Sequence, residues 1–228
     1  MAKHRRTRTP KLNYSHAILG MSVFSAAFGV HTSATAETAP KPLPELPHIA
    51  ALQAPKAQAP VEAKPSVTKV LSLAKAQIGT KEDAKGGGTK FQKWYVNSQR
   101  AAETVKRDGG SRQDYLNAAW CAMFVSWVGE ETGARKTVGW DAYTVTHAKW
   151  FKANKRWGTA AKPGSVVFFS WSGSKSLDAI QHVGFVEKDN GNGTITTIEG
   201  NTGNGQVEER VRPKSQVVGY GYPEYGNA

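Results

Sequence analysis

Cys121 is the residue of this sequence whose chemistry is most specific. It is the single cysteine among 228 residues, so an intrachain disulfide and a multi-cysteine zinc or iron–sulfur site are both excluded. Apolar residues at helical spacing from Trp120 to Val128 predict a helix that begins at Cys121. Backbone N–H groups at a helix start stabilise a thiolate, which is the nucleophilic form of cysteine. The position therefore suits covalent catalysis, whereas a small buried apolar residue is the alternative.

A cysteine nucleophile needs a base, and two histidines are candidates. The other four of the six histidines lie among residues 1–48. His147 lies within a predicted helix, where we expect a surface or packing residue. His182 begins the predicted strand 182–186, and a side chain at a strand end can project from the sheet. We therefore assign the base to His182.

The second ring nitrogen of such a base needs an acceptor that orients it. Glu199 and Asn201 are separated by one residue at the end of the predicted strand 194–201. Because strand side chains alternate, both should lie on one face of the sheet. Either could hold the imidazole, and a solvated surface carboxylate is the alternative for Glu199.

The elements that must position these side chains change type along the chain. Val67 to Ile78 has helical spacing and is followed by Gly79, and a further helix is predicted from Tyr143 to Trp150. Helices followed by antiparallel strands predict an α+β fold. The strands are predicted after Pro163, in the β-rich runs 165–171, 182–188, 194–201, 206–212 and 217–222.

The N-terminal segment, residues 1–36, is predicted to be a secretion signal. The basic stretch Lys3–Lys11 precedes the apolar stretch 17–30, and the small residues Ala34 and Ala36 suit a signal-peptidase site. The apolar stretch is too short to span a bilayer as a helix. We expect a secreted, extracellular protein that is not inserted in a membrane after cleavage, with an uncleaved anchor as the alternative.

A Pro/Ala-rich linker is predicted over residues 37–66, which hold seven of the eleven prolines and no aromatic residue. The folded domain is predicted over residues 67–228, which contain all seven tryptophans. This domain carries +7 of the chain's net charge of +12, which favours an anionic partner. Nucleic acid is not expected to be that partner, because Lys and Arg do not cluster with interleaved aromatic residues.

Four blocks follow one another in the domain: Trp120–Trp127, Pro163–Phe169, His182–Gly184 and Ile198–Thr202. Together they resemble the CHAP family of cysteine- and histidine-dependent amidohydrolases and peptidases of bacterial and phage cell walls. The resemblance covers nearly all of residues 67–223 and implies a papain-like fold, in which the cysteine helix packs on an antiparallel sheet. Some CHAP domains have a calcium loop, but residues 81–86 have too few carboxylates for one, so we expect neither metal nor cofactor.

The resemblance implies hydrolysis of a peptidoglycan amide through an acyl-enzyme. Cys121 would attack the carbonyl and His182 would transfer the proton. Glu199 would orient His182 with the help of Asn201. The Cys121 N–H is a plausible oxyanion donor, and Asn117 is a candidate for the second donor.

The implied substrate leaves several questions open. The enzyme could be an N-acetylmuramoyl-L-alanine amidase or a peptide endopeptidase. Within the enzymes, the related NlpC-type endopeptidases are a close alternative to the CHAP family. A non-catalytic wall-binding module is the alternative outside the enzymes. We expect a cell-wall-associated monomer, with peptidoglycan as its partner. Four tryptophans could line a substrate groove, although packing in the core is the alternative for each: Trp94, Trp140, Trp150 and Trp171.

Overall fold

The computed structural model describes residues 64–226, so the predicted signal peptide and nearly all of the predicted linker lie outside the described residues. The first half of the described chain is helical, as predicted. Within this part of the chain, no helix is long and apolar enough to cross a bilayer. The helices are α1 (Val67–Lys75), α2 (Lys90–Asn97), α3 (Gln99–Asp108), α4 (Cys121–Thr132), α5 (Arg135–Val138) and α6 (Thr144–Ala153).

The second half forms one six-stranded antiparallel sheet with the strand order β1-β6-β2-β3-β4-β5. Five of its strands correspond to the five predicted β-rich runs, and the two-residue β1 was not predicted. The α+β fold class is thus confirmed. The strands are β1 (Trp157–Gly158), β2 (Val166–Phe169), β3 (His182–Asp189), β4 (Thr194–Thr202), β5 (Gln206–Pro213) and β6 (Val217–Gly221).

The cysteine helix α4 is buried against β3 and β4. Most of its residues are buried, because its sequence is apolar on nearly every side. Phe124 of α4 packs edge-on against Phe185 of β3, with ring centroids 6.4 Å apart. Gly200 of β4 permits this approach, since a Cβ atom there would lie only 2.7 Å from Phe124 Cβ and from the Trp120 ring. The missing side chain therefore sets the distance between the helix and the sheet.

A second cluster of buried side chains covers the opposite face of the sheet. It consists of six residues from β2, β3, β4 and β6, and it includes Phe169 at the end of β2. Phe169 pairs with His182, the first residue of β3. His182 therefore lies at one end of the sheet, next to an apolar wall, with its strand between α4 and the second cluster. The cluster is formed by Val167, Phe169, Val186, Ile195, Val217 and Tyr220.

Candidate active site

Cys121 is the first residue of α4, where the sequence places the helix start. The preceding residue, Trp120, is the N-cap, and its side chain makes no capping hydrogen bond. The first N–H groups of a helix have no partner within the helix and carry partial positive charge. Cys121 is buried, with 4% of its surface exposed. A thiolate at this position would be stabilised by the helix end.

The start of α4 is held in place through Trp120. The indole Nε1–H of Trp120 donates to Glu82 Oε1 at 2.8 Å, and the ring stacks on Phe91 at 5.3 Å. The backbone N–H of Glu82 donates in turn to the carbonyl of Gly205, in the turn between β4 and β5. The residue before the candidate nucleophile is thus connected to the sheet by one carboxylate. Sequence reasoning did not identify this role of Glu82.

The His182 imidazole lies between Cys121 and Glu199. Its Nε2–H donates to Glu199 Oε2 at 2.9 Å, and the Cys121 side chain is close enough to the ring to affect its pKa. Burial lowers the pKa of His182, but the interactions with Cys121 and Glu199 outweigh this effect and raise it to about 9. The ring is therefore protonated at neutral pH, which is the state that an imidazolium–thiolate pair requires.

Glu199 is fully buried, with 0% of its surface exposed, and it accepts hydrogen bonds from three side chains. These are His182, Thr197 at 2.6 Å and Arg212, whose Nη2 lies 2.6 Å from Glu199 Oε2. Burial raises the pKa of the Glu199 carboxyl, but the bonds from Arg212 and His182 lower it to about 2. Gly184 provides the space, because a Cβ there would lie 2.7 Å from Glu199 Cγ.

Asn201 does not follow the alternation on which its prediction rested. Its φ is +55°, in the left-handed region, and the register between β4 and β5 shifts between Glu199 and Thr202. Within residues 64–226, no hydrogen bond joins the Asn201 side chain to His182. Its assisting role stays a prediction, whereas the structure brings Cys121, His182 and Glu199 together.

The other candidate base, His147, lies in the core on α6. Its Nε2 atom is 2.7 Å from the carbonyl oxygen of Val138, and its ring stacks on Phe151 at 5.5 Å. Burial lowers the pKa of His147, so the ring is neutral at physiological pH. His147 is therefore a packing residue, which is one of the two positions, surface or packing, that the sequence allowed.

Of the four tryptophans predicted to line a groove, Trp171 lies beside the candidate base. Its ring centroid is 5.3 Å from that of His182, and 41% of its surface is exposed. Trp94 and Trp150 are half-buried and pack against the main core. Trp140 is half-buried, with the Arg135 guanidinium 4.3 Å from its ring centroid. Only Trp171 among these four contacts His182 within the described chain.

Asn117 and the loop 81–86 are the remaining positions that the sequence singled out. Asn117 is exposed at the end of a short 3-10 helix, four residues before Cys121, and its oxyanion role stays a prediction. The Asp83 carboxylate in the loop before α2 accepts hydrogen bonds from the N–H groups of Lys85 and Gly87. In the part of the chain that the structure describes, no group of three His, Cys, Asp or Glu residues could hold a metal ion.

Arg212 is a second residue of the site that sequence reasoning missed. It lies on β5, and its side chain reaches Glu199 across the β4–β5 pair. The alternation of residues 206–212 shows that Arg212 shares a face with other charged residues, but the pairing register that places it near Glu199 is not visible in the sequence.

Comparison with known proteins identifies the domain. Residues 113–201 match the family model of the CHAP domain, and this range includes Cys121, His182 and Glu199. No curated protein and no solved structure gives a significant match. CHAP domains are typically amidohydrolases or peptidases and have a papain-like fold. The match agrees with the four sequence blocks and supports the resemblance of this domain to the CHAP family.

Proposed function

We propose that this protein is a secreted peptidoglycan hydrolase that cleaves an amide bond with Cys121 as the nucleophile. The observation that carries the proposal is the arrangement of three side chains. A thiol at a helix start lies beside the imidazole of His182 and raises its pKa, and Nε2 of that ring donates to the buried carboxylate of Glu199. Nucleophile, base and orienting acceptor in contact are the parts that acyl transfer through cysteine needs.

The reaction would begin from an imidazolium–thiolate pair, in which the Cys121 proton is already on His182. The thiolate attacks the amide carbonyl carbon and forms a tetrahedral intermediate. His182 then donates its proton to the amide nitrogen, the C–N bond breaks, and the amine leaves a thioester on Cys121. In the second half, His182 takes a proton from water, hydroxide attacks the thioester carbonyl, and the carboxylic acid product and the thiol are released. Glu199 stabilises each imidazolium that forms.

The negative oxygen of the tetrahedral intermediate requires hydrogen-bond donors. The backbone N–H of Cys121 is available at the helix start, where no side-chain cap competes for it. We propose Asn117 as the second donor, because it is exposed and precedes the helix by four residues. Trp171 would form one wall of the substrate groove, since its exposed ring adjoins His182.

The substrate side of the proposal rests on the family and on charge. CHAP domains suggest peptidoglycan as the substrate, and the positively charged domain would be attracted to an anionic cell wall. The predicted signal peptide would bring the protein to that location. We propose a monomer, because the three site residues all come from one chain.

Digestion of purified peptidoglycan tests the proposal and identifies the bond. The full chain and Cys121→Ala are incubated with the same peptidoglycan, and the released fragments are analysed by mass spectrometry. Free stem peptides with an amino-terminal L-alanine would indicate an amidase, and fragments cut within the stem or cross-bridge would indicate an endopeptidase. Binding of both proteins to the wall without any released fragment would instead support a non-catalytic wall-binding module.

A further inference from the structure

The guanidinium of Arg212 holds both oxygens of the Glu199 carboxylate. Arg212 Nε lies 2.9 Å from Oε1 and Nη2 lies 2.6 Å from Oε2. Nη2 also donates to Thr202 Oγ1 at 3.0 Å, and the Arg212 side chain is only 17% exposed. The guanidinium also lies 5.0 Å from the ring centroid of Trp171, which itself packs against His182. Nε and Nη2 thus form a two-atom contact with the carboxylate.

A buried carboxylate needs a compensating positive charge at every step of the reaction. Glu199 is completely buried, and removal of an ionised carboxylate from water is strongly unfavourable when the charge is unpaired. Protonated His182 supplies a positive charge, but the proposed mechanism requires His182 to give up its proton to the leaving amine. At that moment Arg212 is the cation that remains in contact with Glu199.

We propose that Arg212 is a positioning residue of the site, which keeps the Glu199 carboxylate ionised and directed at His182 while the imidazole gains and loses its proton. This inference rests on the proposed function, because it assigns Arg212 a part in the same cysteine mechanism. Arg212 acts through Glu199 and touches neither the thiol nor the reacting carbonyl. The low pKa of Glu199 agrees with this role, since Arg212 is a major contributor to it.

The test measures the pH dependence of Cys121 alkylation by iodoacetamide in the full chain. Cys121 is the single thiol, so the rate reports this site alone, and the measurement needs no peptidoglycan. In Arg212→Met the carboxyl of Glu199 should protonate at higher pH and cease to stabilise the imidazolium. The acid limb of the alkylation profile should therefore move to higher pH by about one unit or more, since loss of an adjacent opposite charge, here the imidazolium beside the thiolate, typically shifts a pKa by about 1–3 units.

Arg210→Met is the matched control. Arg210 lies on the same strand two residues away, but it pairs with Glu208 and not with Glu199. Its alkylation profile should match that of the unmodified protein. Arg212→Lys keeps the positive charge but loses the two-atom contact, so its acid limb should stay in place while its alkylation rate at neutral pH falls.

The outcomes separate the two proposals. A folded Arg212→Met protein with an unchanged alkylation profile would overturn the role of Arg212, whatever the substrate is. If Arg212→Met does not fold, Arg212→Lys decides, and a rate and profile identical to those of the unmodified protein would overturn the role. Absence of peptidoglycan hydrolysis with the expected alkylation shifts would overturn the substrate and retain Arg212.

Discussion

His182 donates from Nε2 to Glu199 Oε2 over 2.9 Å, and this contact determines which ring nitrogen is left for Cys121. Because Nε2 is occupied by the carboxylate, Nδ1 is the ring nitrogen left to exchange a proton with the thiol. The acceptor on Nε2 thus selects the tautomer in which a neutral ring can take the thiol proton at Nδ1.

Cys121→Ala should abolish peptidoglycan hydrolysis and leave the fold intact, because the side chain is small and alanine has helical propensity. Iodoacetamide should abolish hydrolysis in the unmodified protein, since this thiol is its single cysteine target. Fragment release measures activity, and circular dichroism measures the fold. Full activity of the folded Cys121→Ala protein would end the mechanism proposed here.

Glu199→Gln should reduce turnover by about 10- to 1000-fold, because the amide loses the charge that stabilises the imidazolium. Its NH2 group can also face the ring and favour the wrong tautomer. Asn201→Ala should cost less, since no hydrogen bond joins Asn201 to His182 within the described residues. The turnover of both variants on peptidoglycan shows which of the two residues orients His182. An inactive Asn201→Ala beside a nearly normal Glu199→Gln would transfer the orienting role to Asn201.

The pH profile of turnover should lose activity on the alkaline side near pH 9. The pKa of His182 is raised to about 9, so the imidazolium that protonates the leaving amine is present below this pH and lost above it. In Glu199→Gln this alkaline limb should move to lower pH, because one of the two contacts that raise the pKa is weakened. Rates between pH 5 and 10, measured at about 0.1 M ionic strength, provide the check. An unchanged limb would show that Glu199 does not control His182.

The two domain histidines should behave differently on substitution. His182→Ala should reduce hydrolysis by several orders of magnitude because the base is lost. His147→Ala should retain activity per folded molecule but reduce the free energy of unfolding by about 1–3 kcal/mol, since it removes the contact with Val138 and leaves a cavity. Denaturant unfolding together with turnover distinguishes the effects. Loss of turnover in a stable His147→Ala protein would refute the assignment.

Gly200→Ala should impair the site from the sheet side. The added methyl group would lie 2.7 Å from Phe124 Cβ and from the Trp120 ring, so α4 would have to shift. We expect a loss of about 1–3 kcal/mol in stability, as for overpacked cores, and slower alkylation of Cys121. Thermal unfolding and iodoacetamide kinetics are the measurements. Unchanged values for both would mean that the helix start tolerates movement.

Much of the site could be predicted because its parts lie at the ends of strongly patterned segments. The start of α4 follows from apolar residues at helical spacing, and His182 opens a clear β run. By contrast, α3 has no large apolar residue on its buried face, where Ala101 and Thr104 lie, so its sequence carried no helical signal that we detected. Asn201 was predicted on a regular strand, where side chains alternate between the two faces. Its backbone is instead left-handed, a conformation that is uncommon for residues other than glycine, so the sequence pattern did not predict it.

Strand β5 is an edge strand, and this has a consequence for how the protein would lose activity on mild heating or in dilute denaturant. The start of β5 is held on the side away from β4, where Gly79 donates a backbone hydrogen bond to Val207 and Thr80 accepts one from it. Arg212 lies at the opposite end of the strand. Opening of that end would withdraw the guanidinium from Glu199 while the core around α4 is still closed. Hydrogen exchange should therefore be faster for residues 209–212 than for β3, and inactivation should precede global unfolding.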